Sequence, residues 1–227
     1  MTLADVLPIA LLGGVTGLDT VSFPQAMISR PLVAATLGGA LVGAPAAGLL
    51  AGAVLELIAL ETLPVGASRY PEWGSASVVA GAIYARTDSA TTGALVVAVL
   101  GALAVAWLGG WTMVKLRQWN ARVAKRRQAA LDAGSPGAVV GVQLAGLTAD
   151  LVRGVALSAA AFVVLAPVEG RLLAHWTVPE QWSRAVLVAT AASVAVGSVW
   201  KLFHATAGAR WFFIGGLGLG LLALGAR

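Results

Sequence analysis

Long apolar stretches separated by short polar loops run along the whole chain. The clearest stretch, 91–114, contains no charged residue and exceeds the roughly 20 apolar residues that a membrane-crossing helix needs. Trp107 and Trp111 lie near its end, where amphipathic rings favour the membrane interface. Three later stretches are also long and predominantly apolar: 138–167, 185–203 and 211–224. The pattern predicts an all-α integral membrane protein, built as a polytopic helical bundle.

The N-terminal half departs from this pattern, because its apolar stretches have lengths that do not suit simple crossings. The first, 6–18, is short and is interrupted by Pro8. The next, 32–63, is too long for one crossing and too short for two, and Gly43-Ala44-Pro45 divides it. We therefore expect re-entrant or broken helices in the N-terminal half.

The composition supports a membrane location for the whole chain. Of its 227 residues 59% are hydrophobic and 11% are charged, with a mean hydropathy of +0.87, whereas about a quarter of the residues of a soluble domain are charged. We expect one transmembrane domain over 1–227, of which 5–90 forms the half with broken helices. The sequence contains no cysteine and two separated histidines, so we expect no disulfide, no metal site and no cofactor.

Positive charge concentrates in one segment, 115–134. It holds six of the 15 Lys and Arg residues and a single acidic residue, Asp132. The positive-inside rule places it in the cytoplasm, so the net charge of +5 indicates topology and not nucleic-acid binding. We expect an amphipathic helix within 115–136 that lies on the membrane or protrudes from it, with a solvated loop as the alternative. Its charges would face anionic lipid or a soluble partner.

Charged residues also occur inside the apolar sequence of the C-terminal part, 137–227. Asp150 and Arg153 are three residues apart, on one helical face, which predicts a structural ion pair. The stretch 169–184, with Trp176 and Trp182, predicts a polar loop at the opposite membrane interface.

Glu56 is the candidate that the apolar pattern isolates most sharply, since several apolar residues flank it on both sides. Acidic residues in membrane segments are costly and often functional. Its carboxylate would accept hydrogen bonds from a polar substrate, or it would form a structural pair with Arg30 or Arg69. Glu61 lies nearer the following loop, where an interfacial role is expected.

Asp19 and Gln25 lie where two interrupted apolar segments meet. Transporters build binding sites from polar groups at such interruptions, which makes both residues candidates for substrate contact. The alternative is a structural role in which Asp19 caps backbone N–H groups.

Several runs of sequence in the N-terminal half resemble one family in their order and spacing. They are Gly17-Leu18-Asp19, Ser29-Arg30-Pro31-Leu32-Val33, 48–60, Val65-Gly66-Ala67-Ser68 and Pro71-Glu72. Together they resemble the IIC membrane subunit of the mannose/fructose/sorbose-family sugar phosphotransferase system. The C-terminal half resembles the family more loosely.

The resemblance implies a permease subunit that binds and translocates a hexose-type sugar across the bacterial cytoplasmic (inner) membrane. A second membrane subunit, IID, would join it in a higher oligomer, and cytoplasmic IIA and IIB subunits would carry phosphoryl groups, which IIB transfers to the sugar. IIC itself would have no phosphorylated or catalytic residue. The sugar-facing residues would be Asp19, Gln25, Glu56, Ser68 and Glu72.

Two other functions fit the same residues. One is a secondary transporter or channel that works alone. The other is a regulatory membrane subunit of a phosphotransferase system that transports nothing itself.

Overall fold

The computed structural model describes residues 2–62, 69–87, 91–204 and 206–225, and every regular element in these ranges is a helix. The helices are α1 (Leu3–Asp19), α2 (Pro31–Leu41), α3 (Pro45–Ala59), α4 (Trp73–Ala85), α5 (Thr92–Arg126), α6 (Gln128–Asp132), α7 (Pro136–Ala174), α8 (Glu180–Phe203) and α9 (Ala209–Gly225). The prediction of an all-α protein is confirmed.

The helices α2 and α3 form a hairpin, called here the re-entrant hairpin. Gly43 lies between them with a φ of +86°, a conformation that favours glycine, and Pro45 occupies the first turn of α3. The helices have 11 and 15 residues, so each is about 16–23 Å long and shorter than the roughly 30 Å hydrocarbon core. The sequence predicted this break correctly.

The first helix, in contrast, is not interrupted. α1 continues through Pro8, and the expectation of a break there is wrong. Pro8 lies in the second turn, where the loss of one backbone hydrogen bond is tolerated in membrane helices. Gly13 and Gly14 allow close packing instead, because added Cβ atoms would meet Ser158 and Val155 of α7.

The expected polar loop over 169–184 is also wrong in extent. α7 continues through Pro167 to Ala174, and α8 begins at Glu180. Glu169 is therefore a helical residue, and it is 5% exposed. Helix continuation through a proline depends on neighbouring packing, which the polarity of the sequence does not show.

The helix α4 lies at the centre of the bundle, and all but its last residue are buried. It contacts α1, α2, α3, α5 and α7. The antiparallel pair α5 and α7 flanks it: Gly101 faces Leu165 and Gly109 faces Leu157. α1 runs antiparallel to α7, so α1 and α5 run in the same direction across the membrane.

Three helices in the described residues are long and apolar enough to cross a membrane: α5, α7 and α8. The protein is therefore a multi-pass membrane protein. The basic segment after residue 114 is helical and continues α5 to Arg126; the structure thus has the helix, and not the solvated loop, at this position.

Candidate functional site

The loop 20–30 joins α1 to the re-entrant hairpin, and a buried carboxylate holds it. Asp19 ends α1, is 2% exposed, and accepts the backbone N–H groups of Ala26 at 2.6 Å and Ser29 at 2.9 Å. Charge-assisted hydrogen bonds of this kind are short and strong. Asp19 therefore has a structural role, but it is not the predicted helix cap, because the N–H groups that it accepts belong to the loop and not to a helix end.

A second carboxylate reaches the same loop from α7. Ser22 donates its hydroxyl to Asp150 Oδ2, and the other Asp150 oxygen accepts Arg153 Nε at 2.9 Å. Arg153 Nη1 also donates to the Thr112 hydroxyl of α5 at 3.3 Å. The predicted pair of Asp150 with Arg153 is present, and it links the loop to α5 and α7.

A third carboxylate, Glu72, is fully buried and also lies near Arg153. Its Oε1 caps α4 by accepting the N–H of Ser75 at 3.0 Å, and its own N–H donates to the carbonyl of Ala106 at 2.9 Å. Gly109 makes this approach feasible, because a Cβ there would lie 2.8 Å from that of Glu72.

At the contact between Glu72 and Arg153, two buried polar atoms lack a hydrogen-bond partner in the described part of the chain. Glu72 Oε2 lies 3.9 Å from Arg153 Nη1, and neither Glu72 Oε2 nor Arg153 Nη2 has a hydrogen-bond partner among the described residues. Because Asp150 also pairs with Arg153, a single guanidinium group balances the charge of two buried carboxylates. Buried polar atoms without partners are costly, and a hydroxyl group is chemically able to donate to one and accept from the other.

Glu56 holds the far end of the loop. Arg30 donates to its Oε1 through both Nε, at 2.7 Å, and Nη2, and the N–H of Leu32 donates to its Oε2 at 3.2 Å. Both side chains remain about a quarter exposed. The structure therefore contains the Arg30 pair that the sequence left open, at the N-terminus of α2, where a negative charge is favourable.

The structure places three of the five predicted residues directly on loop 20–30 or its anchors: Asp19, Gln25 and Glu56. Gln25 is exposed, has a φ of +59° and donates to the carbonyl of Val21 at 2.8 Å. Glu72 joins them only indirectly, through Arg153. Ser68 lies outside the described residues.

Asp150 and Arg153 are the residues whose connection to the site the sequence did not predict. Their spacing predicted the pair, but the contact with Ser22 spans 128 residues and depends on how α1 packs against α7. Glu61 behaves as expected of an interfacial residue: it ion-pairs with Lys201 at 3.0 Å, and that hydrogen bond lowers the pKa of Glu61.

The site lies at one end of the bundle. Thr112 and Gly109 are within two turns of Lys115, where the basic part of α5 begins. The positive-inside rule therefore assigns this end to the cytoplasm. The re-entrant hairpin begins at Arg30 and returns to Glu61 at the same end, and its tip at Gly43 is exposed.

The chain is similar to several known proteins. A family model described as the sorbose-specific IIC component of the phosphotransferase system matches residues 3–215. The fructose permease IIC component of Bacillus subtilis (strain 168) is 30% identical over 99 residues, which cover 44% of this chain and 36% of that relative. The match thus spans about a third of the relative's length.

Two solved structures have the same fold. One, described only as a membrane protein, superposes with a TM-score of 0.78 at 20% identity, covering all of this chain and 92% of the other. The cryo-EM structure of the mannose transporter ManYZ with microcin E492 superposes with a TM-score of 0.62 at 21% identity, with the same coverage. The family match extends over nearly the whole chain and includes every residue of the site, so the chain belongs to the sorbose-type IIC family, the membrane permease components of mannose-family sugar phosphotransferase systems.

Proposed function

We propose that this protein binds a hexose-type sugar beside loop 20–30 and passes it to the cytoplasm, where a IIB subunit phosphorylates it. The observation that carries the proposal is the convergence of Asp19, Asp150 and Glu56 on this one loop. Each carboxylate holds the loop by a different hydrogen bond: Asp150 accepts Ser22, Asp19 accepts Ala26 and Glu56 accepts Arg30. A loop fixed in this way, between a helix end and a re-entrant hairpin, resembles the broken-helix sites from which transporters bind polar substrates.

The five candidate residues have different roles in this proposal. Gln25 and Ser68 would hydrogen-bond sugar hydroxyls directly, and Glu72 would do so through Oε2, which has no partner among the described residues. Asp19 would keep the loop in its binding conformation. Glu56 would accept a sugar hydroxyl once Arg30 gives up one of its hydrogen bonds.

The proposed assembly follows from family membership. A IID subunit would cover apolar helix surface such as that of α7 and α8, and together the subunits would form a higher oligomer in the bacterial inner membrane. The IIA and IIB subunits would remain cytoplasmic. Phosphoryl chemistry would belong to IIB, and this chain would contribute binding and passage.

Sugar binding to the purified protein, with and without a co-expressed IID subunit, tests the proposal. We expect mannose, fructose or sorbose to bind in isothermal titration. Glu56→Gln and Glu72→Gln should each weaken binding at least about tenfold, the usual effect of losing a charge-assisted hydrogen bond, and Gln25→Ala, which removes a neutral one, should weaken it by a smaller factor. Asp132→Asn, an exposed acid in α6, is the matched control and should leave binding unchanged.

Three outcomes would contradict the proposal. If Glu56→Gln is present in the membrane at normal levels and binds sugar as the unchanged protein does, Glu56 does not belong to the sugar site. Sugar uptake into liposomes driven by a proton or sodium gradient alone would indicate a secondary transporter. A complete system that neither imports nor phosphorylates a hexose would indicate a regulatory subunit.

A further inference from the structure

The helix α5 is much longer than the membrane is thick. Its 35 residues give a length of about 52 Å, whereas the hydrocarbon core is about 30 Å thick. The uncharged part, 92–114, accounts for about 34 Å of this length. The remaining part, from Lys115 to Arg126, therefore extends about 18 Å beyond the apolar span, into the cytoplasm.

The chain returns along this extension. A turn containing Gly134, with a φ of +70°, leads into α7, whose N-cap Ser135 accepts the N–H of Ala138. Asn120 packs against Gly146, and Arg127 against Gly141. Residues 115–149 thus form an antiparallel helical projection, called here the cytoplasmic hairpin.

The two sides of the cytoplasmic hairpin differ in chemistry. Its first side carries four exposed cations, called here the distal cations: Arg122, Lys125, Arg126 and Arg127. No carboxylate in the described part of the chain forms an ion pair with any of them. Its second side, 136–149, has no charged residue and exposes Val139, Val140 and Leu144 by 50–57%.

The distal cations lie beyond the lipid headgroup layer, and Arg126 and Arg127 also lie about one screening length outside it. Lys115 lies over the ring of Trp111 and Arg117 donates to the Tyr70 hydroxyl, so these two cations belong to the interface. Arg122 is about 10 Å further along the helix, and Arg126 about 17 Å. The headgroup layer is about 5–8 Å thick, and charges are screened beyond about 8 Å at physiological salt.

We propose that the cytoplasmic hairpin is the docking surface for the phosphorylated cytoplasmic donor protein, a role that rests on the function proposed above. A phosphoryl group adds about two negative charges to its carrier, and the distal cations complement an anionic face. Val140 and Leu144 supply an apolar contact beside them. The helices of the hairpin lead directly to Thr112 and Asp150, so a donor bound there lies next to the cytoplasmic end of the sugar site.

Affinity for the donor tests this proposal. The protein with its IID subunit is placed in nanodiscs of zwitterionic lipid, and the host's mannose-family IIB protein is titrated in its phosphorylated and unphosphorylated forms. We expect the double reversals R122E/K125E and R126E/R127E each to weaken binding of phosphorylated IIB at least about tenfold. High salt should reduce the difference in IIB affinity between these variants and the unchanged protein. The charge-conserving R122K/R126K/R127K should bind within about twofold of the unchanged protein.

Sugar binding, measured on the same samples, separates the two proposals. Both reversals should bind sugar normally, which also shows that they are folded. Unchanged IIB affinity in both reversals would overturn the docking surface while leaving the transport function intact. A loss of affinity that occurs only in nanodiscs containing anionic lipid would overturn it in favour of headgroup binding. Absence of sugar binding in the unchanged protein would instead contradict the transport function.

Discussion

Arg153 is the residue on which the buried charges of the site depend. Its side chain is 9% exposed and lies between the carboxylates of Asp150 and Glu72. Burying two carboxylates is tolerable only while a cation or several hydrogen bonds compensate them. Arg153 also hydrogen-bonds Thr112 of α5, so its side chain links α7 to α5 directly and to the loop through Asp150.

Arg153→Met should therefore destabilise the protein more than a loss of packing would explain. Removing one member of a buried charged set costs about 3–5 kcal/mol, because the partners stay buried without compensation. Glu72→Gln keeps the cap on Ser75 and leaves Arg153 paired with Asp150, so its cost should be smaller. Thermal unfolding of the two purified variants in detergent measures both losses of stability. A melting temperature for Arg153→Met equal to or above that of Glu72→Gln would refute the central role of Arg153.

At the scale of single residues, the sequence predicted those contacts that depend on local spacing. Asp150 and Arg153 are one helical turn apart, and the helix alone brings them together. For Glu56 the sequence offered Arg30 or Arg69, and only the closure of the re-entrant hairpin selects Arg30. Glu169 was misplaced in a loop, although it is buried in α7.

At the scale of elements, glycine determines how closely the re-entrant hairpin closes. A Cβ on Gly48 would lie 2.3 Å from the backbone carbonyl oxygen of Ala35, and a Cβ on Gly39 would lie 2.8 Å from the Gly48 backbone. Backbone atoms cannot move aside as a flexible side chain can. Membrane helices pack in this way where small residues let their backbones approach.

Gly48→Ala should consequently separate α2 from α3 and lower the stability of the protein, by about 1–3 kcal/mol if the cost is that of ordinary overpacking. Gly137→Ala is the matched control, because Gly137 lies in α7 and no atom of the described residues lies within 4 Å of an added Cβ. This control should be neutral or slightly stabilising, as alanine favours helix over glycine. Melting temperatures of the two variants provide the test, and equal values would contradict the close packing of the hairpin.

The breaks between elements were predictable only where glycine and proline act together. Gly43 and Pro45 were identified from the sequence, since one favours a positive φ and the other begins a helix. Pro8 and Pro167 also suggested limits, yet α1 and α7 continue through them. Their neighbours in the bundle decide this, and the local sequence does not contain that information.

At the scale of the whole molecule, assigning one end of the bundle to the cytoplasm fixes the side of the membrane on which the other parts lie. α1 and α5 run in the same direction, α7 returns, and the re-entrant hairpin begins and ends at the end of the bundle where α5 becomes basic. The loop 20–30, Glu72 and the cytoplasmic hairpin are therefore all on one side. The connection between α7 and α8, 175–179, lies on the other side, since Trp176 packs on Gly93 at the start of α5.

The orientation can be tested directly, because the chain contains no cysteine and single cysteines can be introduced at chosen positions. Ala130 is exposed near the tip of the cytoplasmic hairpin, and Val178 is 47% exposed in the connection between α7 and α8. A membrane-impermeant maleimide should label Val178→Cys but not Ala130→Cys in intact bacterial cells, and the reverse should hold in inside-out vesicles. Six cations in 115–127 against none in 175–179 make this orientation the favourable one under the positive-inside rule. Labelling of Ala130→Cys from outside intact cells would invert the topology, and the sugar site and the docking surface would then face away from any cytoplasmic phosphoryl donor.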